Sequence, residues 1–183
     1  LDAMQKVCPI TPNQDGAETP AYVYSHYFLG RRATALARID LLNKLSQNFD
    51  VTVYTHADCK DILPTAIYGG KIDYYDTMPT VFQHSKINLN ITLKTIQTGI
   101  PLRAWDILGC SGFLLTNFQQ ELCDFFIPGE DFVYYESPAD AIEKAAYFLS
   151  HDRERQEIAH NAFEKIAASH TFHHRVQSMF DII

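Results

Sequence analysis

The sequence predicts an α/β domain of the Rossmann-like kind, in which a parallel sheet carries helices on both faces and the C-terminus is helical. Three observations lead to this fold class. Short β-branched or apolar runs alternate with helical patterns from about residue 31 to residue 136. The run GFLLT at 112–116 is apolar and bounded by Gly and Asn, which is typical of a buried parallel strand. From residue 137 onwards, the patterns are helical.

The first half of the chain begins with a predicted loop at 9–20 (PITPNQDGAETP), because Pro, Asn, Asp and Gly are frequent there. Apolar residues then recur every three positions between Arg31 and Gln47, which predicts an amphipathic helix. The next predicted elements are strands at 50–55 and 66–68, the second ending at Gly69-Gly70, a helical turn at 78–84, and a strand at 86–92 that alternates Ile and Leu with Asn.

The second half has clearer boundary signals. Gly99-Ile100-Pro101 puts a proline at the first turn of a helix that runs to about Gly109, where the missing N–H of proline costs nothing. Ser137-Pro138-Ala139-Asp140 predicts the capped start of a helix that ends near Ser150. The other predicted elements are a helix at 118–126, a strand at 132–135, a helix that Asp152 caps and that ends near Ala168, and a last helix from Thr171.

Composition and charge limit the classes of partner. The chain has 183 residues, 46% hydrophobic and 20% charged, which suffices for one globular domain with a sizeable core. Its net charge of −7 and scattered basic residues make nucleic acid a poor partner. We expect no signal peptide and no membrane span. The four cysteines form no CxxC pair, so we expect free thiols and a cytoplasmic location; they are Cys8, Cys59, Cys110 and Cys123.

The carboxyl end of the strand at 86–92 is the best place for a ligand, because open parallel sheets bind ligands beyond the carboxyl ends of their strands. The amides of Gly99 and Ile100 precede a helix N-terminus, which favours an anion such as phosphate. Arg103 and Asp106 share one face of that helix. The arginine offers donors for phosphate, and the aspartate offers acceptors for the neighbouring hydroxyls of a ribose. The same pair is also common on an ordinary surface helix.

Other polar residues allow two interpretations. Lys86, Asn88 and Asn90 alternate along a strand, where they either contact a ligand or line a half-exposed strand face, and we favour the strand face. Lys94, at the carboxyl end of this strand, is the better ligand contact.

The histidines and aromatic residues also have ordinary explanations. His170, His173 and His174 lack a second ligand pair at zinc spacing, so we expect His170-Thr171 to cap or pack at a helix start. One aromatic group is expected to pack mainly in the core or at its rim, although a tyrosine of the group could stack on a nucleobase. The group is Tyr74, Tyr75, Phe82, Tyr134 and Tyr135.

Four segments together carry a family resemblance. They are DYYDTMPTVFQHSKINLNITLK (73–94), TGIPLRAWDILGCSGFLLTN (98–117), PGEDFVYYESPADA (128–141) and HTFHHR (170–175). In order and spacing they resemble the C-terminal domain of group 1 glycosyltransferases, in particular the spore-maturation-type branch. Weaker similarity extends back to about Phe28, so the resemblance covers most of the chain.

The resemblance implies the C-terminal half of a GT-B architecture, which binds a nucleotide-sugar donor. Group 1 enzymes carry a Glu-x7-Glu pair at the turn into this helix, and the resemblance puts its two positions on Thr98 and Asp106. Asp106 keeps a carboxylate and is implied to bind the nucleotide ribose. Thr98 replaces the glutamate that touches the donor sugar in relatives, which puts that contact and the stereochemical outcome in doubt. The amides of Gly99 and Ile100 are implied to approach the diphosphate or the sugar.

The same resemblance implies that the base lies near the strand end Tyr68-Gly69-Gly70 and that Arg38 is a phosphate candidate. Such enzymes stabilise the departing nucleoside diphosphate with basic side chains and a helix dipole, usually without a metal, so we expect no cofactor. The segment DYYD at 73–76 does not have DxD spacing and predicts no metal site. The resemblance identifies no catalytic residue.

We therefore expect residues 1–183 to form one nucleotide-sugar-binding domain, with a loop-rich lead-in at 1–27 and a UDP- or GDP-linked sugar as ligand. The acceptor would be held by an N-terminal domain of the same protein that is absent from this chain, which begins with Leu1 rather than Met. In relatives a strand and a glycine-bearing loop precede the helix at 31–47, and here Ala21–Phe28 is the candidate for that strand.

The chain alone is then expected to bind the donor weakly and to transfer little or no sugar. Two alternatives stay open. One is an enzyme on the same scaffold that epimerises or hydrolyses nucleotide sugars. The other is a non-catalytic interaction domain that has lost the donor site, which the replacement at Thr98 would suit.

Overall fold

A computed structural model describes residues 1–11, 16 and 18–181, and it confirms the predicted class: parallel sheets flanked by helices, with a helical C-terminus. The elements in chain order are α1 (Asp2–Val7), α2 (Pro20–Val23), a π-helix (Tyr24–Gly30), α3 (Arg31–Ser46), β1 (Thr52–Tyr54), β2 (Ile67–Gly70), α4 (Met78–His84), β3 (Asn88–Asn90), α5 (Leu102–Gly109), β4 (Leu114–Asn117), a 3₁₀ helix (Gln120–Asp124), β5 (Val133–Tyr135), α6 (Pro138–Ser150), α7 (Asp152–Ser169) and α8 (Phe172–Phe180). Within these residues, no helix has both the length and the apolar character needed to cross a bilayer.

The strands form two separate parallel sheets rather than the single sheet expected. β1 and β2 pair with Thr52 opposite Ile67, and their register shifts after Val53. The larger sheet has the order β3-β4-β5, with Asn88 opposite Leu114. β1 is not hydrogen-bonded to β3, so the two sheets are not continuous.

The segment that precedes α3 is helical. Thr19 caps α2 by accepting a hydrogen bond from the N–H of Tyr22 at 3.2 Å, and Pro20 occupies the first turn. Ala21–Phe28 lies in α2 and the π-helix, so it does not supply the strand considered for it. The predicted loop at 9–20 ends where α2 begins, and residues 12–15 and 17 of that loop lie outside the described residues.

The larger sheet is covered on both faces, as its sequence pattern predicts. Leu114 and Leu115 are adjacent in β4 and point to opposite faces, yet they are only 0% and 1% exposed. Leu115 packs with α3 and α6, whereas Leu114 packs with α5 and α7. Burial of each large apolar side chain contributes about 1.5–3 kcal/mol, so these two cores hold the layers together.

The C-terminal helices begin where local capping signals predict. The Ser137 hydroxyl accepts a hydrogen bond from the N–H of Asp140 at 3.1 Å, at the start of α6. Thr171 caps α8 and forms a capping box with His174, whose ring lies 2.7 Å from the threonine hydroxyl. These two helix starts confirm the predictions at Ser137 and Thr171.

Two local predictions were wrong. Asp152 does not cap α7, since His151 holds the cap position. Asp152 instead pairs with Arg155 at 2.7 Å, and this hydrogen bond lowers the pKa of its carboxyl group. The helix expected at 118–126 is a 3₁₀ helix over Gln120–Asp124, because the chain here must turn within a few residues to bury Leu122 and Phe126 under α5.

Candidate functional site

The loop that follows β3 is fastened to the start of α3. The buried Thr34 hydroxyl donates to the carbonyl oxygen of Gly30 at 2.8 Å and accepts from the N–H of Lys94 at 3.0 Å. Arg38 donates to the carbonyl oxygen of Ile91 at 2.9 Å. Two predicted site residues, Arg38 and Lys94, therefore lie at the same carboxyl edge, with exposed side chains.

The asparagines of β3 serve the interior of the domain. Asn88 and Asn90 are 6% and 5% exposed. The side-chain amide of Asn88 donates to a carbonyl oxygen of α4 at 2.9 Å. The side-chain amide of Asn90 donates to the hydroxyls of Thr92 and Thr116 at 3.1 and 3.0 Å. The half-exposed-strand interpretation, which we favoured, was wrong for them, because both side chains are buried and their amides are hydrogen-bonded inside the domain. Lys86, which precedes β3, is exposed.

The turn into α5 has the backbone that an anion site needs. Gly99 has φ +98°, in the left-handed region that favours glycine, and both Thr98 and Gly99 are exposed. Ile100 packs against the core that contains α5. Pro101 holds the cap position of α5, one residue before the first-turn position predicted for it. The first N–H groups of α5 therefore face a solvent-exposed turn.

Asp106 lies on α5 and contacts a residue that is distant in sequence. The hydroxyl of Tyr74 donates to Oδ2 of Asp106 at 2.7 Å. This hydrogen bond raises the pKa of Tyr74, and the nearby charge of Arg103 opposes the effect. Among the described residues, Arg103 and Asp106 form no ion pair. The carboxylate thus keeps acceptor positions that are not taken by a cation.

The strand end Tyr68-Gly69-Gly70 belongs to the smaller sheet. The Tyr68 hydroxyl donates to the carbonyl oxygen of Thr55 at 3.4 Å, and Gly70 has φ +72°. Gly69 lies under the ring of Tyr54, which a Cβ atom would approach to 2.6 Å. No hydrogen bond within the described part of the chain joins these three residues to the turn at Gly99. Tyr74, in the loop after β2, contacts Asp106 on α5 instead.

A shallow depression of about 390 Å³ adjoins the turn into α5. Gly99, Ile100 and Trp105 form one side, and Glu121, Asp124 and Phe125 form the other. Its two carboxylates disfavour phosphate and suit hydroxyl groups. A larger depression of about 510 Å³ lies between Lys44 and Ser137 and contains none of the predicted site residues.

The histidines near the C-terminus have packing and capping roles. His170 packs against Trp105, Phe125 and Phe126, and burial, followed by the charge of Arg175, lowers the pKa of its imidazole. Across the described residues, no group of three or more His, Cys, Asp and Glu side chains is close enough to hold a metal ion.

The aromatic group singled out in the sequence divides between core and surface. Tyr135 is buried, which raises its pKa to about 12. Tyr75 is 84% exposed. Tyr74, which packs edge to face against Tyr75 at 5.1 Å between ring centroids, is the residue whose role the sequence did not reveal. Its partner lies 32 positions away, and a local pattern holds no signal for such a contact.

A comparison with known families identifies the family of this chain. A family model described as glycosyl transferase-like matches residues 31–181. The chain belongs to the glycosyl transferase-like family. No curated protein matches the chain.

The glycosyl transferase-like match covers the described site as one unit. It begins at the first residue of α3 and ends just after α8, so it includes Arg38, Lys94, Asp106 and Tyr74. Residues 1–30, with α1, α2 and the π-helix, lie outside it. The family match therefore spans both sheets and the helices that cover them.

Proposed function

We propose that this domain binds the nucleotide-sugar donor of a glycosyltransferase at the carboxyl edge of its sheets, with Asp106 as the acceptor for the ribose hydroxyls. The observation that carries the proposal is the state of Asp106. Its carboxylate accepts one hydrogen bond from a neutral phenol and, among the described residues, pairs with no cation. A carboxylate of this kind has free acceptor positions for two neighbouring hydroxyls.

The diphosphate of the donor would lie at the turn into α5. The left-handed Gly99 and the exposed helix start favour negative charge, and Arg103 follows one residue into α5. Arg38 and Lys94 add positive charge at the neighbouring strand end. These groups can stabilise the charge that develops on a departing nucleoside diphosphate, so we propose transfer that does not depend on a metal ion.

The base would lie beyond the end of β2, near Gly70 and the exposed ring of Tyr75. An exposed tyrosine ring in the loop that follows a glycine-rich strand end suits stacking against a uracil or guanine. The sugar would reach the depression beside Gly99, where carboxylates of Glu121 and Asp124 can accept hydrogen bonds from its hydroxyls.

The acceptor would be held by a second, N-terminal domain of the same protein, in an enzyme of the spore-maturation-type branch. What supports this is the openness of the site: Lys94, Thr98, Gly99 and Arg103 are all exposed. Sugar transfer requires that water be excluded from the reacting atoms. The domain alone should therefore bind the donor but transfer little or no sugar.

A titration with UDP, GDP and ADP and with their glucose, N-acetylglucosamine and mannose conjugates tests the donor proposal. Saturation-transfer NMR is suitable because it detects weak binding. We expect selective binding of one nucleotide and a loss of about tenfold in affinity for Asp106→Asn, the equivalent of one hydrogen bond to a charged group at a partly exposed site. Asp40→Asn is the matched control, since it removes an exposed carboxylate that pairs with Lys44 on α3.

One observation favours a second candidate function, that of a non-catalytic interaction domain. Thr98 offers a hydroxyl at the position where the group 1 glycosyltransferases that this chain resembles carry a carboxylate. This candidate would be favoured if all nucleotides bind equally and Asp106→Asn does not change their binding. It would also be favoured if the complete protein binds none of the nucleotides. Release of free sugar or of an epimerised sugar without acceptor would favour an enzyme that acts on the donor alone.

A further inference from the structure

The contact between Tyr74 and Asp106 joins two parts of the proposed donor site that the sheets leave separate. Tyr74 lies in the loop between β2, a strand of the smaller sheet, and α4, whereas Asp106 lies on α5, which covers the larger sheet. Their hydrogen bond is 2.7 Å long, and Tyr74 remains 45% exposed. A partly exposed contact of this kind adds little to core burial, so its effect is mainly on the orientation of the two side chains.

The backbone on the Tyr74 side is ordered by its own hydrogen bonds. The carboxylate of Asp73 accepts from the N–H groups of Tyr75 and Asp76, both at 2.8 Å, and the N–H of Met78 donates to the carbonyl oxygen of Asp73 at 2.9 Å. The turn therefore runs directly into α4, and its hydrogen bonds fix the position of the Tyr74 backbone from which the ring projects. The ring is further restricted by its edge-to-face packing against Tyr75.

The Asp106 side chain has no comparable restraint on its own helix. A half-buried aspartate such as Asp106 can still rotate about two side-chain bonds, and a ligand that needs one orientation must stop that rotation. A hydrogen bond to one oxygen restricts this rotation and leaves the other oxygen free.

We infer that Tyr74 is a positioning residue for the donor: its hydroxyl holds Oδ2 of Asp106 so that the carboxylate faces the two hydroxyls of the nucleotide ribose. The inference rests on the proposed function. It assigns to Tyr74 a part in the discrimination between ribose and deoxyribose, since the orientation of Asp106 matters most for a ligand whose two neighbouring hydroxyls it must meet together.

The test compares UDP, GDP and ADP with their 2′-deoxy counterparts, using the wild-type chain and Tyr74→Phe. We expect the wild-type chain to bind the ribose form of its preferred nucleotide more tightly than the deoxy form. Tyr74→Phe should reduce that preference about three- to tenfold, the effect of losing one ordinary hydrogen bond, while affinity for the deoxy form changes less than twofold. Equal weakening of both forms, or no change in the preference, would overturn the inference.

Tyr147→Phe is the matched control. Tyr147 is also an exposed tyrosine whose hydroxyl donates to a carboxylate, that of Glu154 at 2.9 Å on α7. It belongs to the C-terminal helices and not to the proposed donor site. Its loss should leave the preference for ribose unchanged, and a change as large as that of Tyr74→Phe would overturn the assignment to Tyr74.

A second measurement separates a failure of this inference from a failure of the proposed function. Tyrosine labelled with ¹³C at Cζ reports the ionisation of Tyr74 without any nucleotide. Because the hydrogen bond to Asp106 is the main cause of the raised pKa of Tyr74, Asp106→Asn should move its titration to lower pH. An unchanged titration would show that the contact is absent in solution. A shifted titration in a protein that binds no nucleotide would refute the proposed function and this inference with it.

Discussion

Asp131 is a buried carboxylate that depends on Lys165 for its countercharge. It lies just before β5 and is 1% exposed. Its Oδ2 accepts from the N–H of Ile127 at 2.6 Å and from the ammonium group of Lys165 on α7. Its Oδ1 is buried and has no hydrogen-bond partner among the described residues. Asp131 therefore closes the turn at 127–131. The turn is bound to α7 through Lys165 and through the amide of Asn161, which donates to the carbonyl oxygen of Glu130 at 3.1 Å.

We predict that Lys165→Met destabilises the domain by about 2–3 kcal/mol. Methionine keeps most of the length and apolar stem of lysine but leaves Asp131 buried without a countercharge. Removal of one partner from a fully buried pair costs about 3–5 kcal/mol. The expected cost is smaller here because the Lys165 side chain is 39% exposed, so water can solvate part of the vacated position. A domain with a stability of about 5–15 kcal/mol should still fold.

Urea denaturation followed by tryptophan fluorescence measures the effect. The chain has one tryptophan, and Trp105 packs against Phe126, close to the turn that Asp131 closes. The double variant Asp131→Asn/Lys165→Met removes the unpaired charge, so it should be more stable than the sum of the single effects implies, by about 1–2 kcal/mol. Lys44→Met is the control: it breaks an exposed pair within α3 and should cost at most about 0.5 kcal/mol.

The reasoning would be refuted by a Lys165→Met variant within 0.5 kcal/mol of the wild type, a limit of about the size expected for a surface change. Strict additivity in the double variant would also count against it, because it would mean that Asp131 and Lys165 contribute independently. A change in the slope of the denaturation curve would indicate an altered unfolded state instead, so the midpoint and the slope must both be compared.

Three further predictions concern single positions. Thr34→Val leaves the N–H of Lys94 without its acceptor, so we expect a loss of about 1–3 kcal/mol in unfolding free energy and faster hydrogen exchange at the Lys94 amide. His170 has a pKa lowered by burial and then by the charge of Arg175, so its contribution to stability is present above about pH 6.5 and is lost as the pH falls through its folded-state pKa. Denaturation between pH 7 and pH 5 should therefore show a smaller loss of stability for His170→Gln than for the wild type, and an equal loss would refute this. Gly112→Ala would put a Cβ atom 2.8 Å from a side-chain nitrogen and 2.9 Å from a carbonyl oxygen, so it should cost about 1–3 kcal/mol by thermal or urea denaturation, and an unchanged midpoint would contradict the packing argument.

The features that could be predicted from the sequence are those with local causes. The start of α6 depends on Ser137 and Pro138, and both signals lie within one helical turn. The helix at 78–84 was predicted with the bounds that α4 has. Strand boundaries were less accurate: the strand expected at 86–92 is β3 at Asn88–Asn90, because the strand ends where pairing with β4 ends, and pairing is not a local property.

The features that could not be predicted depend on contacts between distant segments. The resemblance made Ala21–Phe28 a candidate strand, yet the segment is helical. The Thr19 cap and the Tyr24 side chain, which is buried against Gln5 and Cys8, stabilise this form. Asn90 looked half-exposed because polar residues usually are, but it is an internal hydrogen-bond donor. The fold class was therefore accessible from periodicity, whereas the division of the sheet was not.

The buried polar groups of β3 give the proposed donor site its rigid support. Asn90 donates to the hydroxyls of Thr92 and Thr116, and the N–H of Thr92 donates to the side-chain oxygen of Asn117 at 2.7 Å. Two residues later, Lys94 is held by Thr34 of α3. The loop that leads to Gly99 thus leaves the sheet in a direction set by hydrogen bonds from β4 and α3 rather than by its own sequence. Because buried donors that lose their partners cost more than exposed ones, this network resists displacement, which a site that must orient a flexible donor requires.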